Sequence, residues 1–153
     1  MNRVLSILST AAAIVGFPGA ALAGDCPVDA QRADTSIDGP TQSTGVEVIN
    51  GPAIPLAKST GLEGVLQYRR VTIAPGGELE LHAHASEPGF AYVLTGVATE
   101  YRSDCSVPIT RTGGDIATEP DNLTHWWRNE GETPVVLIVS HVVLDTMTPA
   151  HEH

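Results

Sequence analysis

His82 and His84 stand two residues apart at the end of an alternating apolar stretch, so a pleated strand turns both imidazoles to one face. If that face is a barrel interior, neither ring is idle. A buried imidazole needs hydrogen-bond partners, whereas a divalent ion uses the free lone pair of each. The pair alone is weak evidence, and a third histidine changes its weight. Gly114, Pro120 and Asp121-Asn122 form a turn leading into Leu123-Thr124-His125, a short strand with His125 on its inward face. Trp127 shares the parity of His125 and is expected inside, as a pocket wall or as ordinary core. Trp126 points outward.

Taken together, these two segments resemble the motifs of the cupin superfamily. The first motif runs from Gly76 through His82 and His84 to Gly96, the second from Gly114 through Pro120 and His125 to Asn129. Asn122 stands where the second motif usually has glycine, a mild change because asparagine also tolerates the left-handed backbone of turns. The resemblance implies an all-β double-stranded β-helix, a jelly-roll barrel that is usually dimeric. It also implies a divalent transition metal (Fe, Mn, Ni, Cu or Zn) on His82, His84 and His125.

One position departs from the family. Gly89 stands where a metal-binding glutamate is usual, and the nearest carboxylate, Glu87, is two residues earlier. That shift keeps strand parity but moves the acid about 6.6 Å along an extended chain. Glu87 is therefore a candidate fourth ligand or base if a loop returns it. Glu80, which shares the parity of His82 and His84, is an alternative. The favoured version has three histidines only, with Gly89 leaving room for water or substrate beside Ala91, Val93 and Trp127. Three neutral ligands leave the full charge of a dication in place, which favours an anionic oxygen ligand such as a carboxylate or enolate.

The elements that must position these groups are short strands. From Val46 onward, runs rich in Val, Ile, Leu, Thr and Tyr alternate with Gly, Pro and Asn. Strands are expected over Val46 to Ile49, Val65 to Ile73, Glu78 to His82, Phe90 to Tyr101, Ile109 to Thr112, Asp115 to Thr118, Thr124 to Asn129 and Val135 to Leu144. Pro75-Gly76-Gly77 and Gly113-Gly114 are among the turns. Tyr92 and Phe90 carry outward parity and are expected to pack on a second sheet or a partner copy. His141, in the last strand, is either structural or a support for a ligand.

At 153 residues the chain has room for one domain. Residues 1–23 read as an export signal: Asn2 and Arg3, an apolar run from Val4 to Phe17, and Ala21-Leu22-Ala23 with cleavage after Ala23. The run is too short and too broken by Gly16, Pro18 and Gly19 to span a bilayer. Residues 24–45 are polar and read as a flexible leader, 46–146 as the barrel, and 147–153, with His151 and His153, as a tail. Cys26 and Cys105, an even count in an exported chain, are expected to pair, which places the protein in the periplasm or outside the cell. With 18 acidic against 8 basic residues, the composition argues against a nucleic-acid partner.

Two functions fit this reading. One is a metal-dependent, quercetin-dioxygenase-like oxidoreductase acting on a small anionic or enolisable substrate. The other is a non-catalytic module that binds a metal or a small ligand. A homodimer is expected in either case.

Overall fold

The structure, a computed structural model, describes residues 25–144. The signal segment with its Ala23 cleavage site and the tail with His151 and His153 lie outside the described residues. Eight strands carry the fold: β1 Thr44–Pro55, β2 Gly64–Ala83, β3 Gly89–Thr95, β4 Val97–Arg102, β5 Ile109–Thr112, β6 Ile116–Glu119, β7 Thr124–Arg128 and β8 Val135–Leu144. Among the described residues, helix is limited to a 3-10 turn at Val28–Ala30 and one turn, α1, at Ala57–Thr60. Among the described residues no helix is long and apolar enough to cross a membrane.

All strand pairings are antiparallel, in the order β5-β4-β7-β2-β8-β3-β6, with β1 added alongside β2. The long strand β2 closes the barrel by serving both halves. Its first part, through Ile73, pairs with β8, and its second part, from Glu78, pairs with β7. Between them lies Pro75-Gly76-Gly77, which bends the strand instead of ending it, so the two strands expected here are one. Gly76 takes a φ of 73°, a conformation that costs glycine little. Asn129 fixes the bend: its amide donates to the carbonyls of Ile73 and Thr133, and backbone bonds join it to Gly76 and Gly77. The motif asparagine thus holds the strand that carries the histidines.

The strand expected over Phe90 to Tyr101 is instead two, β3 and β4, broken at Gly96. There φ is 89°, and a Cβ would lie 2.8 Å from the Pro134 carbonyl oxygen. The core lies between the sheet halves and includes Val71, Ile73, Ala91, Val93, Leu137 and Trp127. Burying each larger apolar side chain is worth about 1.5–3 kcal/mol. Trp126 faces outward, stacked on Tyr101 with ring centroids 3.9 Å apart. Phe90 and Tyr92 are exposed, in a row with Leu66, Tyr68 and Ile116 on the outer face of β2, β8, β3 and β6. No second sheet covers them among the described residues.

Residues 25–43 lie outside the main sheets but are fastened to them. Cys26 and Cys105 form a disulfide, and Gln31 bridges to Cys105. Ser103 Oγ donates to Asp34, Trp126 Nε1–H donates to the Asp38 carbonyl, and the Leu81 N–H donates to the Pro40 carbonyl.

Candidate metal centre

His82 and His84 enter from the end of β2, and His125 enters from β7 directly opposite His82. Their Nε2 atoms converge: His84 to His125 is 2.9 Å and His82 to His125 is 3.1 Å. Each Nδ1 is occupied on the far side of its ring. His82 Nδ1 is 2.8 Å from the Glu80 carbonyl oxygen, His84 Nδ1 is 3.1 Å from that of Glu87, and His125 Nδ1 is 2.8 Å from Glu100 Oε1. These three partners only accept, so each Nδ1 must carry the proton. A neutral imidazole has one N–H, so all three Nε2 lone pairs point at the same place. No hydrogen bond can join them in that state; a cation can. Nitrogens about 2.1 Å from an ion and at right angles around it are about 3.0 Å apart, which matches the spacings found.

The electrostatics agree. Burial, and then the neighbouring His125, hold the His82 pKa down at about 4, and burial likewise lowers that of His84. Both rings are therefore neutral and ready to ligate near pH 7. Behind His125, Glu100 is fully buried and bound by Arg102 and Arg111 as well. Burial alone would raise its pKa, but the hydrogen bond from His125 and the nearby positive charges outweigh it and bring it to about 2. An ionised Glu100 fixes the His125 tautomer and strengthens the ring as a ligand.

The three-histidine cluster includes no carboxylate, and neither acid weighed from the sequence joins it. Glu80 was expected to share the parity of the histidines, but the β2–β7 register slips between Leu79 and His82. That bulge sends Leu79, His82 and His84 inward and leaves the Glu80 side chain exposed. Glu87 contributes its backbone carbonyl to His84, and its carboxylate joins neither of the ligand clusters found among the described residues. A buried acid does approach the histidines from the end of β6. Glu119 is 3% exposed, with Oε1 3.7 Å from His125 Nε2, and it forms a second cluster with His84 and His141. Its Oε2 lies 2.5 Å from His141 Nε2. Burial would raise the Glu119 pKa, yet the hydrogen bond from His141 and the surrounding imidazoles outweigh it and lower it.

Gly89 was expected to leave room for water or substrate; it does not. A Cβ there would lie 2.1 Å from His141 Cδ2 and 2.3 Å from the Ser140 carbonyl oxygen. The imidazole of His141 fills the place over Gly89, and its acid partner is Glu119. A cavity of about 340 Å³ opens beside the cluster, lined among others by His82, Glu119, His141, Ala91, Trp127 and Arg69. Ala91 and Trp127 belong to the core and also line this cavity, whereas Val93 is core beneath it. Asn122 takes a φ of 67°, the left-handed conformation expected in place of the motif glycine. Sequence reasoning missed Glu119, Glu100 and Arg69. The available signal was parity: Glu119 alternates with Ala117, and Glu100 with Ala98, both buried small residues.

The structure is a bent antiparallel barrel whose histidines converge from two strands in positions that could hold a metal ion. Residues 69–141 match the family model described as a cupin domain, so the chain carries a cupin domain. Solved structures agree on the fold. KdgF from Halomonas sp. is similar over 72% of this chain and 89% of its own, at 15% identity and a TM-score of 0.55. The cupin domain of Schizosaccharomyces pombe Cnp3 is similar over 72% and 71%, at 14% identity and a TM-score of 0.53. An oxalate decarboxylase is similar over 71% of this chain and 28% of its own, at 21% identity and a TM-score of 0.53. At such identities the likeness is one of fold. No curated protein matches the sequence.

Proposed function

We propose that this cupin holds a divalent transition metal (Fe, Mn, Ni, Cu or Zn) on His82, His84 and His125 and uses it to bind a small anionic or enolisable molecule. The observation that carries the reading is the convergence of three Nε2 lone pairs whose Nδ1 protons are all committed elsewhere. Glu119 is the acid beside them, in place of Glu87, and His141 orients it. Such an ion supplies Lewis acidity and, if redox-active, access to dioxygen chemistry. The chain's own part is to hold three neutral ligands, keep Glu119 ionised and line the approach with Trp127, Ala91 and Leu79.

A dioxygenase-like oxidoreductase is the first activity this site suits, in an exported protein to which the Cys26–Cys105 disulfide is suited. The second reading, a binding module without turnover, is favoured by the lowered pKa of Glu119, which makes that residue a better ligand than base. The exposed row of Phe90, Tyr92 and Ile116 suits contact with a second copy.

The test is elemental analysis of the protein purified without an affinity tag. Wild type is expected to hold close to one equivalent of metal, and the His82→Ala, His125→Ala variant far less. Equal and negligible content in both refutes the metal reading. Oxygen uptake with flavonols and diketones then separates the two activities.

A further inference from the structure

Arg69 has no place in the cluster described so far, and its surroundings ask for a ligand. It lies on β2 with the inward parity of Val71 and Ile73, opposite Val139 and one pleat from the Gln67–His141 pair. The side chain is half-buried in the cavity wall among Val48, Val71 and Val139. One Nη2–H donates to Gln67 Oε1 at 2.9 Å, but the buried Nε–H has no hydrogen-bond partner. No ion pair joins Arg69 to an acid among the described residues, in contrast to Arg102 and Arg111, which both bind Glu100. A buried, unsatisfied guanidinium donor is costly, and a fold keeps one where a ligand completes it.

We infer that Arg69 is the second anchor of a two-point site: the bound molecule presents one oxygen group to the metal centre and a separate carboxylate to the guanidinium of Arg69. This rests on the metal reading above. The planar fork of arginine suits a carboxylate, which it binds through paired, charge-assisted hydrogen bonds. The charges inside the cavity agree. A dication on neutral histidines, together with Arg69 and offset by Glu119, leaves an excess of two positive charges. A dianion matches this better than a monoanion. Glu80 and Glu87 also line the cavity, but Glu80 is exposed and Glu87 half-exposed, so their charges are solvated at its rim whereas that of Glu119 is buried. The apolar wall and the cavity of about 340 Å³ limit the ligand to a small one. The class is therefore a short dicarboxylate, or a small acid whose carboxylate lies a few atoms from an enolate or hydroxyl oxygen.

Calorimetry on the metal-loaded protein tests this with malonate and propionate as probes, which differ chiefly in the second carboxylate. Wild type should bind malonate roughly tenfold to a hundredfold more tightly than propionate, the worth of a charge-assisted pair of hydrogen bonds. Arg69→Met, which keeps the stem but not the fork, should lose most of that preference while retaining metal and propionate affinity. Arg69→Lys should fall between the two. A metal-loaded wild type that does not prefer malonate overturns the inference without any variant, as does an Arg69→Met protein whose preference is unchanged. A wild type that holds no metal overturns the metal reading itself, and the two-point site with it.

Discussion

Restoring the family's usual acid at Gly89 should damage this protein. In Gly89→Ala the new Cβ meets His141 Cδ2 at 2.1 Å, the Ser140 carbonyl oxygen at 2.3 Å and His141 Cα at 3.0 Å. The ring can rotate away, but only by giving up its hydrogen bond to Glu119. The carbonyl and Cα cannot yield so easily, because they belong to the β3–β8 ladder in which Gly89 pairs with His141. Overpacking a well-filled interior costs about 1–3 kcal/mol, and backbone contacts put this site at the upper end, about 3 kcal/mol. A domain of this size loses about 4 °C of melting temperature per kcal/mol, so the expected fall is about 12 °C. Urea titration followed by tryptophan fluorescence gives the free energy directly. A Gly89→Ala protein within about 1 kcal/mol of wild type would refute the packing argument. Adding His141→Gly should recover only the share due to the ring, since the Ser140 oxygen remains. Full rescue would show that the backbone contact costs nothing. Gly89→Glu, which recreates the family pattern, should hold less metal than wild type, and a gain would refute the assignment of the acid to Glu119.

Three further outcomes follow from the same structure. Cys26 and Cys105 are 79 residues apart, so on the chain-entropy model reducing their bond should cost about 4 kcal/mol; an unchanged urea midpoint under reductant refutes this. Glu119→Gln keeps the shape but removes the charge, and should weaken metal retention by roughly tenfold to a hundredfold in competition with a chelator, with the three histidines intact; retention equal to wild type would leave Glu119 no part in the centre. For Glu100 the folded pKa of about 2 lies below the unfolded value of 4.5, so its contribution is fully present above about pH 4.5 and is lost as pH falls towards 2. The ceiling is about 3 kcal/mol, and Glu100→Gln should flatten the acid limb of the stability curve; an unaltered limb contradicts the assignment.

Strand parity made His82, His84, His125, Ala91 and Trp127 legible in the sequence, because period-two alternation survives wherever a strand is regular. It failed where the strand is irregular. The register slip between Leu79 and His82 removed Glu80 from the interior, and no residue type in that segment announces it. The glycines marked breaks but not their kind: Gly76 bends a strand that continues, whereas Gly96 ends one. The long-range partners could not be read at all, since nothing local says that β6 lies beside β3, or β3 beside β8.

That hidden adjacency explains the departure at Gly89. A glutamate on β3 would have to occupy the volume now filled by His141 of β8, so the two cannot coexist at this register. Once His141 holds that place, it offers an N–H but no negative charge, and an acid must come from the strand on the other side of β3. Glu119 at the end of β6 is opposite Gly89 in the ladder and within reach of both His141 and His125. Glycine, histidine and glutamate on three adjacent strands are therefore one unit. Changing the glycine alone blocks the ring, and changing the histidine alone leaves Glu119 without its hydrogen-bond donor. Glu119 stands across the sheet from Gly89, and the missing side chain at Gly89 makes room for the His141 ring that binds it.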